Sequence, residues 1–571
     1  MNISGAQSIV KSLIKQGVEF TFGMPGMHSL ELVDALIDSK INNILVTSEA
    51  CAAFMADGYA RSTGKTGVCI AIPGPGVTNM VTGLAEAFLD SSPIVVLAMA
   101  TAKDGYAFHV HEISQLDTVV PVVKGTFQVH DETRIPEVIS QAFELANCEE
   151  PGPVVVEILS PALKNKSPRP RPVSAASGTT LPETKRHILK IIDLLKSAKQ
   201  CGFYVGKGAQ SSSEKVRQLA EHFSAPVATT ISGKGVIPED HALAVGFGFG
   251  PAGLKSAEDL FKECDVVLAL GVKFSEMSTG SWSMPVSGSL IHIDRSPDNL
   301  NRNYKSSLAL CQDVEVALSE ILLQLKDTPK KSNTGVVEKI QRYKQAHLKR
   351  VQKKLSAKGI HPAYFFYRLG QALNQKAIVV TDCGSHQLWA ATDYCALTPN
   401  SFLSPSDYQA MGFGIPAAIG ASFGCPEKCT VCVCGDGGFL VTGFELLTAV
   451  RNNLNLAVVI FNDGALGLIK STQQIVYGRT NSVTPANPDY KQLAAAFNVD
   501  YLKVSNLPQL EAGLERITQN NGVVVLDIQI DYQEWPSYMK GTTRAAWQRL
   551  PLLTKLNLIA TRAARFAKNG K

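Results

Sequence analysis

Short apolar runs alternate along the chain with longer segments in which apolar residues recur every three or four positions. The runs 430–434 and 456–461 are typical of strands buried on both faces, and the segment 444–451 between them has the spacing of an amphipathic helix. Similar strand-then-helix patterns recur through much of the rest of the chain. Repeated βα units with short loops predict an α/β fold class built from doubly wound parallel sheets.

Two interruptions of this pattern divide the chain into three predicted domains. At 571 residues the chain is too long for one hydrophobic core and fits about three domains of ordinary size. A stretch rich in proline, serine and charge follows the first βα pattern, as expected of a linker, and a lysine-rich helical segment, 328–358, follows the second. The predicted domains span residues 1–163, 184–330 and 361–535, and a basic tail spans 536–571.

Charge is unevenly distributed along the chain. The composition is that of a globular protein, 45% hydrophobic and 18% charged, with a net charge of +5. The segment 540–571 carries eight lysines and arginines and no acid, so the remainder is formally acidic and gives no indication of nucleic-acid binding. The tail has some helical amphipathicity, which is compatible with a packed terminal helix, a cover over the active site, an acidic partner or an anionic membrane surface.

Cysteine usage and hydropathy indicate where the protein resides. The twelve cysteines are scattered mostly through apolar strands and helices, and neither CVC nor CPEKC belongs to a paired zinc-ligand arrangement. The first residues lead into an amphipathic segment without a long apolar signal core, and no later run is long enough to cross a bilayer. We therefore expect a cytoplasmic protein with reduced cysteines and no transmembrane segment.

The segment GDGGFLVTGFELLTAVRNNLNLAVVIFND, which begins at Gly435, carries the most informative candidate chemistry. Asp436 and Asn462 follow neighbouring predicted strands, at the edge where open parallel sheets bind ligands. Their oxygens, with the backbone carbonyl of Gly464, suit magnesium or calcium better than zinc. The glycines would let the backbone turn tightly and approach phosphate oxygens; they are Gly435, Gly437 and Gly438. The alternative interpretation is an ordinary strand–turn–helix with a glycine turn.

This acid and amide, two dozen residues apart, resemble the cofactor signature of thiamine diphosphate enzymes. Three upstream segments extend the resemblance in the order of the acetolactate-synthase-like branch: FTFGMPGMHSLEL with Pro25, LVTSEACAAFMADGYARSTGK with Glu49, and AIPGPGVTNMVTGLAEA with Asn79. The resemblance implies that the three oxygen donors named above bind Mg²⁺ and that Glu49 hydrogen-bonds a ring nitrogen of the cofactor's aminopyrimidine. Pro25 and Asn79 join the implied cofactor-binding residues. The three domains would then be pyrimidine-binding, central Rossmann-like and diphosphate-binding.

Further matches extend the resemblance through the third domain. VVTDCGSHQLWAA corresponds to a family segment that meets the diphosphate, which implicates Gly384, Ser385 and His386. AMGFGIPAAIGAS places Met411 where a bulky residue props the cofactor into a bent shape. The family binds its cofactor between two subunits, so the resemblance also implies a homodimer or a dimer of dimers.

The implied cofactor determines the class of reaction. Thiamine diphosphate lets a 2-oxo acid lose carbon dioxide and retains the acyl group as an anion equivalent. Leu468 stands where pyruvate decarboxylases carry a glutamate, so the best-known proton donor is replaced by an apolar residue. This favours transfer to a second carbonyl substrate, with an acyloin or acetohydroxy acid as product. The alternatives are a non-ligating decarboxylase that releases an aldehyde and a catalytically silent regulatory subunit. The sequence does not rank aromatic, branched or charged oxo acids.

Two departures from the acetolactate synthase pattern bear on substrate and flavin. AFHVHEISQLD supplies His111 and Glu112 where that family has its active-site glutamine, and His28 follows the GMPGM turn. These groups are compatible with a proton relay, a site for a substrate carboxylate, or local packing. FAD is not expected, because KFSEM and GFGPAGLKS replace the segments typical of flavin binding. A Rossmann-like shape of the middle domain does not by itself indicate that FAD is bound.

Overall fold

Three six-stranded parallel sheets form the framework of the protein. The computed structural model describes residues 3–101, 108–167, 182–250, 253–354, 359–373, 377–519, 521–532, 551–553, 555–556 and 559. All strand pairings within these three sheets are parallel, and helices lie between most successive strands. The predicted α/β fold class is confirmed. Parallel sheets suit this sequence because most of their strands are short apolar runs buried on both faces.

The first unit contains strands β1 to β8 and helices α1 to α7. Its sheet has the order β3-β2-β4-β5-β7-β6, and β1 pairs separately and antiparallel with β8. Two short 3-10 helices also occur, Val120–Val122 and Glu132–Arg134. The strands are β1 (Ile3–Ser4), β2 (Phe20–Gly23), β3 (Asn42–Leu45), β4 (Gly67–Ala71), β5 (Ile94–Ala100), β6 (Gly125–Val129), β7 (Pro153–Leu159) and β8 (Lys166–Ser167). The helices are α1 (Gly5–Lys15), α2 (Leu30–Ile37), α3 (Glu49–Thr63), α4 (Pro75–Leu89), α5 (Gln115–Val119), α6 (Ile135–Asn147) and α7 (Ser160–Lys164).

The middle unit has its own hydrophobic core and a sheet of order β11-β10-β9-β12-β13-β14. Its 3-10 helices are Lys207–Ser212 and Ile231–Gly233. The strands are β9 (Cys201–Val205), β10 (Val227–Thr229), β11 (Ala244–Phe247), β12 (Val266–Leu270), β13 (Ser289–Asp294) and β14 (Leu308–Cys311). The helices are α8 (Pro182–Ser197), α9 (Ser213–Phe223), α10 (Lys255–Phe261), α11 (Glu276–Thr279), α12 (Val314–Gln324) and α13 (Thr334–Gln352).

The third unit has a sheet of order β16-β15-β17-β18-β20-β19. A 3-10 helix, Gly443–Glu445, joins α17 to α18. The strands are β15 (Ala377–Thr381), β16 (Phe402–Leu403), β17 (Cys429–Gly435), β18 (Leu456–Asn462), β19 (Asp500–Val504) and β20 (Val523–Gln529). The helices are α14 (Pro362–Leu373), α15 (Ser385–Asp393), α16 (Gly414–Gly424), α17 (Asp436–Thr442), α18 (Leu446–Arg451), α19 (Gly467–Tyr477), α20 (Tyr490–Ala496) and α21 (Leu507–Thr518).

Helices α3 and α16 bring the first and third units together at backbone distance. A Cβ at Gly58 would lie 2.0 Å from the carbonyl oxygen of Ala417, and a Cβ at Gly420 would lie 1.9 Å from the carbonyl oxygen of Met55. Any larger residue would therefore push the two helices apart. One hydrophobic core runs through this contact and includes strands of both sheets.

A buried cluster of charged side chains also joins the units. Arg61 donates two hydrogen bonds to Asp57, at 2.6 and 2.7 Å, and one to Asp90 at 2.8 Å. The Asp90 carboxylate in turn accepts hydrogen bonds from the backbone N–H groups of Ser406 and Asp407 in the third unit. From the middle unit, the Nζ of Lys207 donates to the backbone carbonyl of Asp90 at 2.6 Å. The pKa of Lys207 is lowered to about 7, first by loss of solvent and then by the charge of Arg61.

Two local expectations need correction. The predicted linker after residue 163 begins later, because Lys166–Ser167 pairs with Ile3–Ser4; the linker residues 168–181 lie outside the described residues. The glycines after β17 do not form a turn, because α17 starts at Asp436 and none of Gly435, Gly437 and Gly438 has a positive φ. The helix predicted over 444–451 is a 3-10 turn followed by α18. Asp436, an acidic residue in the first turn of α17, stabilises this helix start through the helix dipole.

The remaining predictions concern the cysteines, membrane-spanning helices, the basic tail and the domain boundaries. The described cysteines are all free, and most are buried, as expected of core residues. No helix in the described ranges has the length and hydropathy needed to span a membrane. Most of the basic tail, 536–571, falls outside the described residues. The domain boundaries stay a proposal.

Candidate active site

The predicted cation ligands lie at the carboxyl ends of adjacent strands. Strands β17 and β18 pair in parallel with Gly435 opposite Phe461, so Asp436 and Asn462 each stand one position beyond this pair. Asp436 is the first residue of α17 and is almost fully buried, with 1% of its surface exposed. Burial raises its pKa, and hydrogen bonds from Asn487 and backbone N–H groups oppose that rise. Gly464 has a φ of +65° and its N–H donates to the side-chain oxygen of Asn462 at 3.3 Å.

The glycines of this segment provide space rather than unusual backbone angles. A Cβ at Gly437 would lie 2.5 Å from Cδ2 of Leu466 and 3.3 Å from the terminal methyl of Met411. A Cβ at Gly438 would lie 3.0 Å from the carboxyl carbon of Asp382. Small residues at these positions thus leave room for Leu466, Met411 and Asp382 to pack against the first turn of α17.

The second segment predicted to bind the diphosphate lies next to the first. Gly384 has a φ of +148° and precedes α15, whose first two residues are the buried Ser385 and His386. The His386 ring lies 3.7 Å from the position that a Cβ would take at Gly435. Its Nε2 is buried and has no hydrogen-bond partner among the described residues, and burial lowers the pKa of His386 to about 4. A neutral ring with a free nitrogen beside Gly435 is a feature that a bound ligand would satisfy.

Asp382 organises the loop that carries Met411, and the sequence interpretation missed it. Its buried carboxylate accepts hydrogen bonds from the N–H groups of Cys383, Gly412 and Gly414, at 2.6 to 3.1 Å. Loss of solvent nevertheless raises the pKa of Asp382 to about 6. An acid directly after the apolar strand β15 was the available signal. Met411 itself is 40% exposed.

The predicted residues of the first unit gather around a second glycine turn. Glu49 begins α3, is 8% exposed, and accepts a hydrogen bond from Nδ2 of Asn79 at 2.9 Å. A Cβ at Gly76 would lie 3.5 Å from the other oxygen of Glu49, and a Cβ at Gly74 would lie 2.6 Å from the carbonyl oxygen of His111. Pro25 is exposed in the neighbouring turn after β2. The structure therefore brings the separate upstream motifs to one edge of the first sheet.

Two of the predicted polar residues, His28 and His111, lie beside each other. Their ring centroids are 5.9 Å apart, and the Nδ1 of His28 is 3.4 Å from the hydroxyl of Ser160. His111 has a φ of +70°, and its Nδ1 is buried without a partner in the described part of the chain. Burial and the proximity of His111 lower the pKa of His28. Glu112 is exposed and accepts a hydrogen bond from the backbone N–H of His109.

Glu445 links the two groups of site residues within one chain, and sequence reasoning did not find it. Its fully buried carboxylate accepts hydrogen bonds from the backbone N–H of Thr47, at 3.1 and 3.2 Å, and from the hydroxyl of Thr448 at 2.6 Å. Thr47 is two residues before Glu49, and Glu445 is nine residues after Asp436. The segment after the predicted cation ligand Asp436 therefore fixes the turn that carries Glu49.

The donors at the third sheet fit a hard cation and a diphosphate. Within the described ranges, no group of three or more histidine, cysteine or acidic side chains is placed to hold a metal. A carboxylate and an amide oxygen leave coordination positions for carbonyl, water and phosphate oxygens, which is the usual pattern for Mg²⁺. The free Nε2 of His386 adds a polar group on the same side.

Three family models match successive parts of the chain. They are described as "Thiamine pyrophosphate enzyme, N-terminal TPP binding domain" over residues 3–122, "Thiamine pyrophosphate enzyme, central domain" over 188–321, and "Thiamine pyrophosphate enzyme, C-terminal TPP binding domain" over 382–528. A probable acetolactate synthase large subunit from Methanocaldococcus jannaschii is 34% identical, with 93% of each chain covered. The chain belongs to the acetolactate synthase family of thiamine pyrophosphate enzymes.

Other members of the acetolactate synthase family give the same result. The large subunit of acetolactate synthase isozyme 2 from Escherichia coli is 32% identical, over 95% of this chain and 99% of its own. That of isozyme 3 is 33% identical, over 94% and 97%. The protein is thus a thiamine pyrophosphate-dependent enzyme of the acetolactate synthase type, as its motifs predicted.

A cavity of about 450 Å³ lies where the middle unit of this acetolactate synthase-type enzyme meets the other two. Its lining includes residues at the carboxyl ends of β9, β12 and β13, among them Gly206, Gly271 and Arg295. This is the edge at which Rossmann-like sheets bind nucleotides. The expectation that the enzyme lacks FAD stays a prediction.

Proposed function

We propose that this enzyme decarboxylates a 2-oxo acid with thiamine diphosphate and Mg²⁺ and transfers the acyl group to a second carbonyl substrate. The observation that carries the proposal is the oxygen pair formed by Asp436 and the amide of Asn462 at adjoining strand ends, bridged by the side chain of Asn487. The acetolactate synthases to which the chain is similar support the choice of reaction.

Each part of the site has a proposed task. Asp436, Asn462 and the carbonyl of Gly464 hold Mg²⁺, while His386 and its neighbours contact the diphosphate. Glu49, which is oriented by Asn79, holds a proton at a ring nitrogen of the aminopyrimidine. Thiamine diphosphate, when bound, supplies an electron sink for the acyl carbon after carbon dioxide leaves. The remaining diphosphate contacts are assigned to Gly384, Ser385, Gly435, Gly437 and Gly438, with Pro25 near the pyrimidine and Met411 as the apolar prop.

Leu468 supports carboligation over simple decarboxylation. It is a half-buried residue in the first turn of α19, directly after the turn that contains Gly464. An apolar side chain there donates no proton, so the acyl group has time to react with a second carbonyl compound.

A second candidate function rests on the histidine pair. His111 has a buried Nδ1 with no partner in the described residues, and His28 lies 5.9 Å away between ring centroids. An imidazole beside the site is a side chain that can donate a proton to a reacting group. If either residue protonates the acyl carbon, the enzyme releases an aldehyde as a non-ligating decarboxylase. Glu49, Asp436 and Asn462 are all present and buried or half-buried, which argues against a catalytically silent regulatory subunit.

We also propose that the enzyme works as a homodimer or a dimer of dimers, with the site between two copies. Apolar side chains beside both groups of site residues are exposed in the single chain: Met27 is 80%, Val441 57% and Phe444 65% exposed. Burial of such side chains against a second copy removes apolar surface from water, which favours association.

Product analysis tests the proposed reaction. Purified enzyme is mixed with thiamine diphosphate, Mg²⁺ and a panel of 2-oxo acids, with and without a second carbonyl compound, and products of one turnover are measured by mass spectrometry. We expect an acyloin or acetohydroxy acid, and a loss of rate of about 100-fold or more in Glu49→Gln. Glu19→Gln is the matched control, because Glu19 is exposed and pairs only with Lys65 at the surface.

The outcomes separate the candidates. Aldehyde as the sole product, with loss of its release in His28→Asn or His111→Asn, would replace carboligation by simple decarboxylation. Absence of carbon dioxide from every donor, together with failure to bind thiamine diphosphate in a titration, would favour the silent subunit.

A further inference from the structure

The side chains of the two proposed cation ligands, Asp436 and Asn462, must each be held in one orientation to bind a cation. The side chain of Asn462 has an oxygen and a nitrogen at equivalent ends, and only the oxygen binds a cation. Asp436 has two equivalent carboxylate oxygens, and without neighbouring hydrogen bonds either of them could face the cation. Neighbouring residues must therefore select one arrangement of each.

The amide of Asn462 is oriented by Asp527 on the adjacent strand β20. Its Nδ2 donates to Oδ1 of Asp527 at 3.0 Å, and Asp527 is 7% exposed. Ile460 is paired with Asp527, so Asn462 lies two residues further on the same face of the sheet. An ionised carboxylate only accepts hydrogen bonds, so it holds the nitrogen of the amide and turns the oxygen away, toward Asp436 and Gly464.

Tyr501 holds Asp527 from the next strand, β19. Its hydroxyl donates to Oδ2 of Asp527 at 2.9 Å, so both oxygens of the carboxylate are engaged. Lys503 is paired with Asp527, so Tyr501 is also two residues away on that face. Three strands thus contribute one chain of hydrogen bonds, from Tyr501 through Asp527 to Asn462.

Asn487 orients the other ligand. Its Nδ2 donates to Oδ2 of Asp436 at 2.7 Å and lies 3.4 Å from Oδ1 of Asn462. The remaining oxygen of Asp436 accepts the N–H of Gly437 at 2.9 Å. Asn487 is close to both ligands although it comes from the segment between α19 and α20. Its own Oδ1 is buried and has no partner among the described residues, so an acceptor is available beside both proposed ligands.

We propose that Asn487 and Asp527, the latter fixed by Tyr501, are positioning residues of the cation site. The inference rests on the proposed function, in which Asp436 and Asn462 hold Mg²⁺. Asn487 and Asp527 touch the ligands, and Tyr501 touches Asp527, so these residues determine how tightly the cation and the diphosphate are held. Loss of such an outer hydrogen bond typically weakens metal binding about 10- to 100-fold.

Mn²⁺ binding measures this effect without reference to turnover. Full-length enzyme is titrated with Mn²⁺ at a fixed concentration of thiamine diphosphate, and free Mn²⁺ is followed by electron paramagnetic resonance. We expect Asn487→Ala and Asp527→Asn each to raise the dissociation constant for Mn²⁺ about 10- to 100-fold. Asp527→Asn is informative because an amide at this position accepts as well as donates, and so permits Asn462 to flip. Activity of both variants should fall at low Mg²⁺ and recover at high Mg²⁺.

Controls separate positioning from a loss of structure. Asp500→Asn changes an exposed acid of β19 in the same sheet and should leave Mn²⁺ affinity unchanged. Tyr501→Phe removes only one hydroxyl and keeps the ring, so it provides a mild variant if Asp527→Asn does not fold; it should also weaken Mn²⁺ binding. The unfolding temperature of the enzyme without metal reports on folding of every variant.

The results distinguish this inference from the proposed function. If Asp436→Ala abolishes Mn²⁺ binding while the Asn487, Asp527 and Tyr501 variants keep wild-type affinity, the positioning role is overturned and the cation site stands. If Asp436→Ala binds Mn²⁺ as well as wild type, or wild type binds none, the cation site and the positioning role are both overturned.

Discussion

Replacement of Arg61 by methionine would test whether the buried charge cluster holds the units together. Arg61 has 7% of its side chain exposed and donates four hydrogen bonds, to Asp57, Asp90 and the backbone carbonyl of Ser404. Methionine keeps an unbranched apolar stem near the ring of Phe413, which lies 4.9 Å from the guanidinium carbon. The substitution therefore removes the charge and its hydrogen bonds with a limited loss of packing.

The expected loss of stability is large. Without Arg61, the carboxyl groups of Asp57, Glu86 and Asp90 face one another in a buried site, and Lys207 still contacts the backbone carbonyl of Asp90. Removal of one partner of a buried ion pair costs about 3–5 kcal/mol, because the other charge is left uncompensated. Since Asp90 also accepts the N–H groups of the third unit, we expect the first and third units to separate more readily as well.

Urea unfolding followed by circular dichroism and by tryptophan fluorescence measures this loss. The matched control is Arg217→Met, in which an exposed arginine loses its surface pairs with Glu214 and Glu221; its unfolding should coincide with that of the wild type. The deficit of Arg61→Met should shrink as the pH falls from 8 toward 5.5, because the uncompensated carboxylates take up protons in the folded state. A loss below about 1 kcal/mol, or a deficit that does not change with pH, would refute the reasoning.

Three further predictions concern packing, pH and flavin. Gly58→Ala places a Cβ 2.0 Å from the carbonyl oxygen of Ala417, so it should destabilise the enzyme by about 1–3 kcal/mol in urea unfolding, whereas Gly335→Ala, with only one side-chain atom at 3.4 Å, should not. The pKa of Lys207 is about 7 in the folded protein and 10.5 ordinarily, so the unfolded chain binds more protons between these values. The free energy of unfolding should therefore rise with pH in this range. The slope should be smaller than about 1.4 kcal/mol per pH unit, the limit for one proton, because the half-buried side chain lines a cavity. Lys207→Met should remove the rise. Purified enzyme should show no flavin absorbance near 450 nm; a stoichiometric flavin spectrum would contradict the prediction that FAD is absent.

Much of the fold follows from features that are local in the chain. Apolar runs such as 430–434 and 456–461 specify buried strands, and the helices between them require parallel pairing. The order of parallel strands then places Asp436 and Asn462 at one edge, because both directly follow or end a strand. The same reasoning placed Glu49 at the start of α3. These residues were found from sequence because their positions follow from where strands end and helices begin.

Other residues of the site have no local signature. Asn487 lies 51 residues after Asp436, and Glu445 lies 398 residues after Thr47, yet each pair is joined by a hydrogen bond. Asp382 was overlooked because an acid after a strand is common, and only the close approach of the loop at Gly412 shows what it binds. The glycines of α17 were predicted to turn the chain, whereas in the structure Gly437 lets Leu466 and Met411 approach and Gly438 lets Asp382 approach.

The sequence by itself determined the α/β architecture, the cofactor class and the residues that end the strands of the site. The tertiary structure alone decided which side chains orient those residues, namely Asn79 for Glu49, Asp527 for Asn462 and Asn487 for Asp436. Strand and helix periodicity acts over a few neighbouring residues, so it can be recognised in the chain. A hydrogen bond between distant segments depends on the order of strands in the sheet and on the packing of its loops, and only the folded chain specifies both.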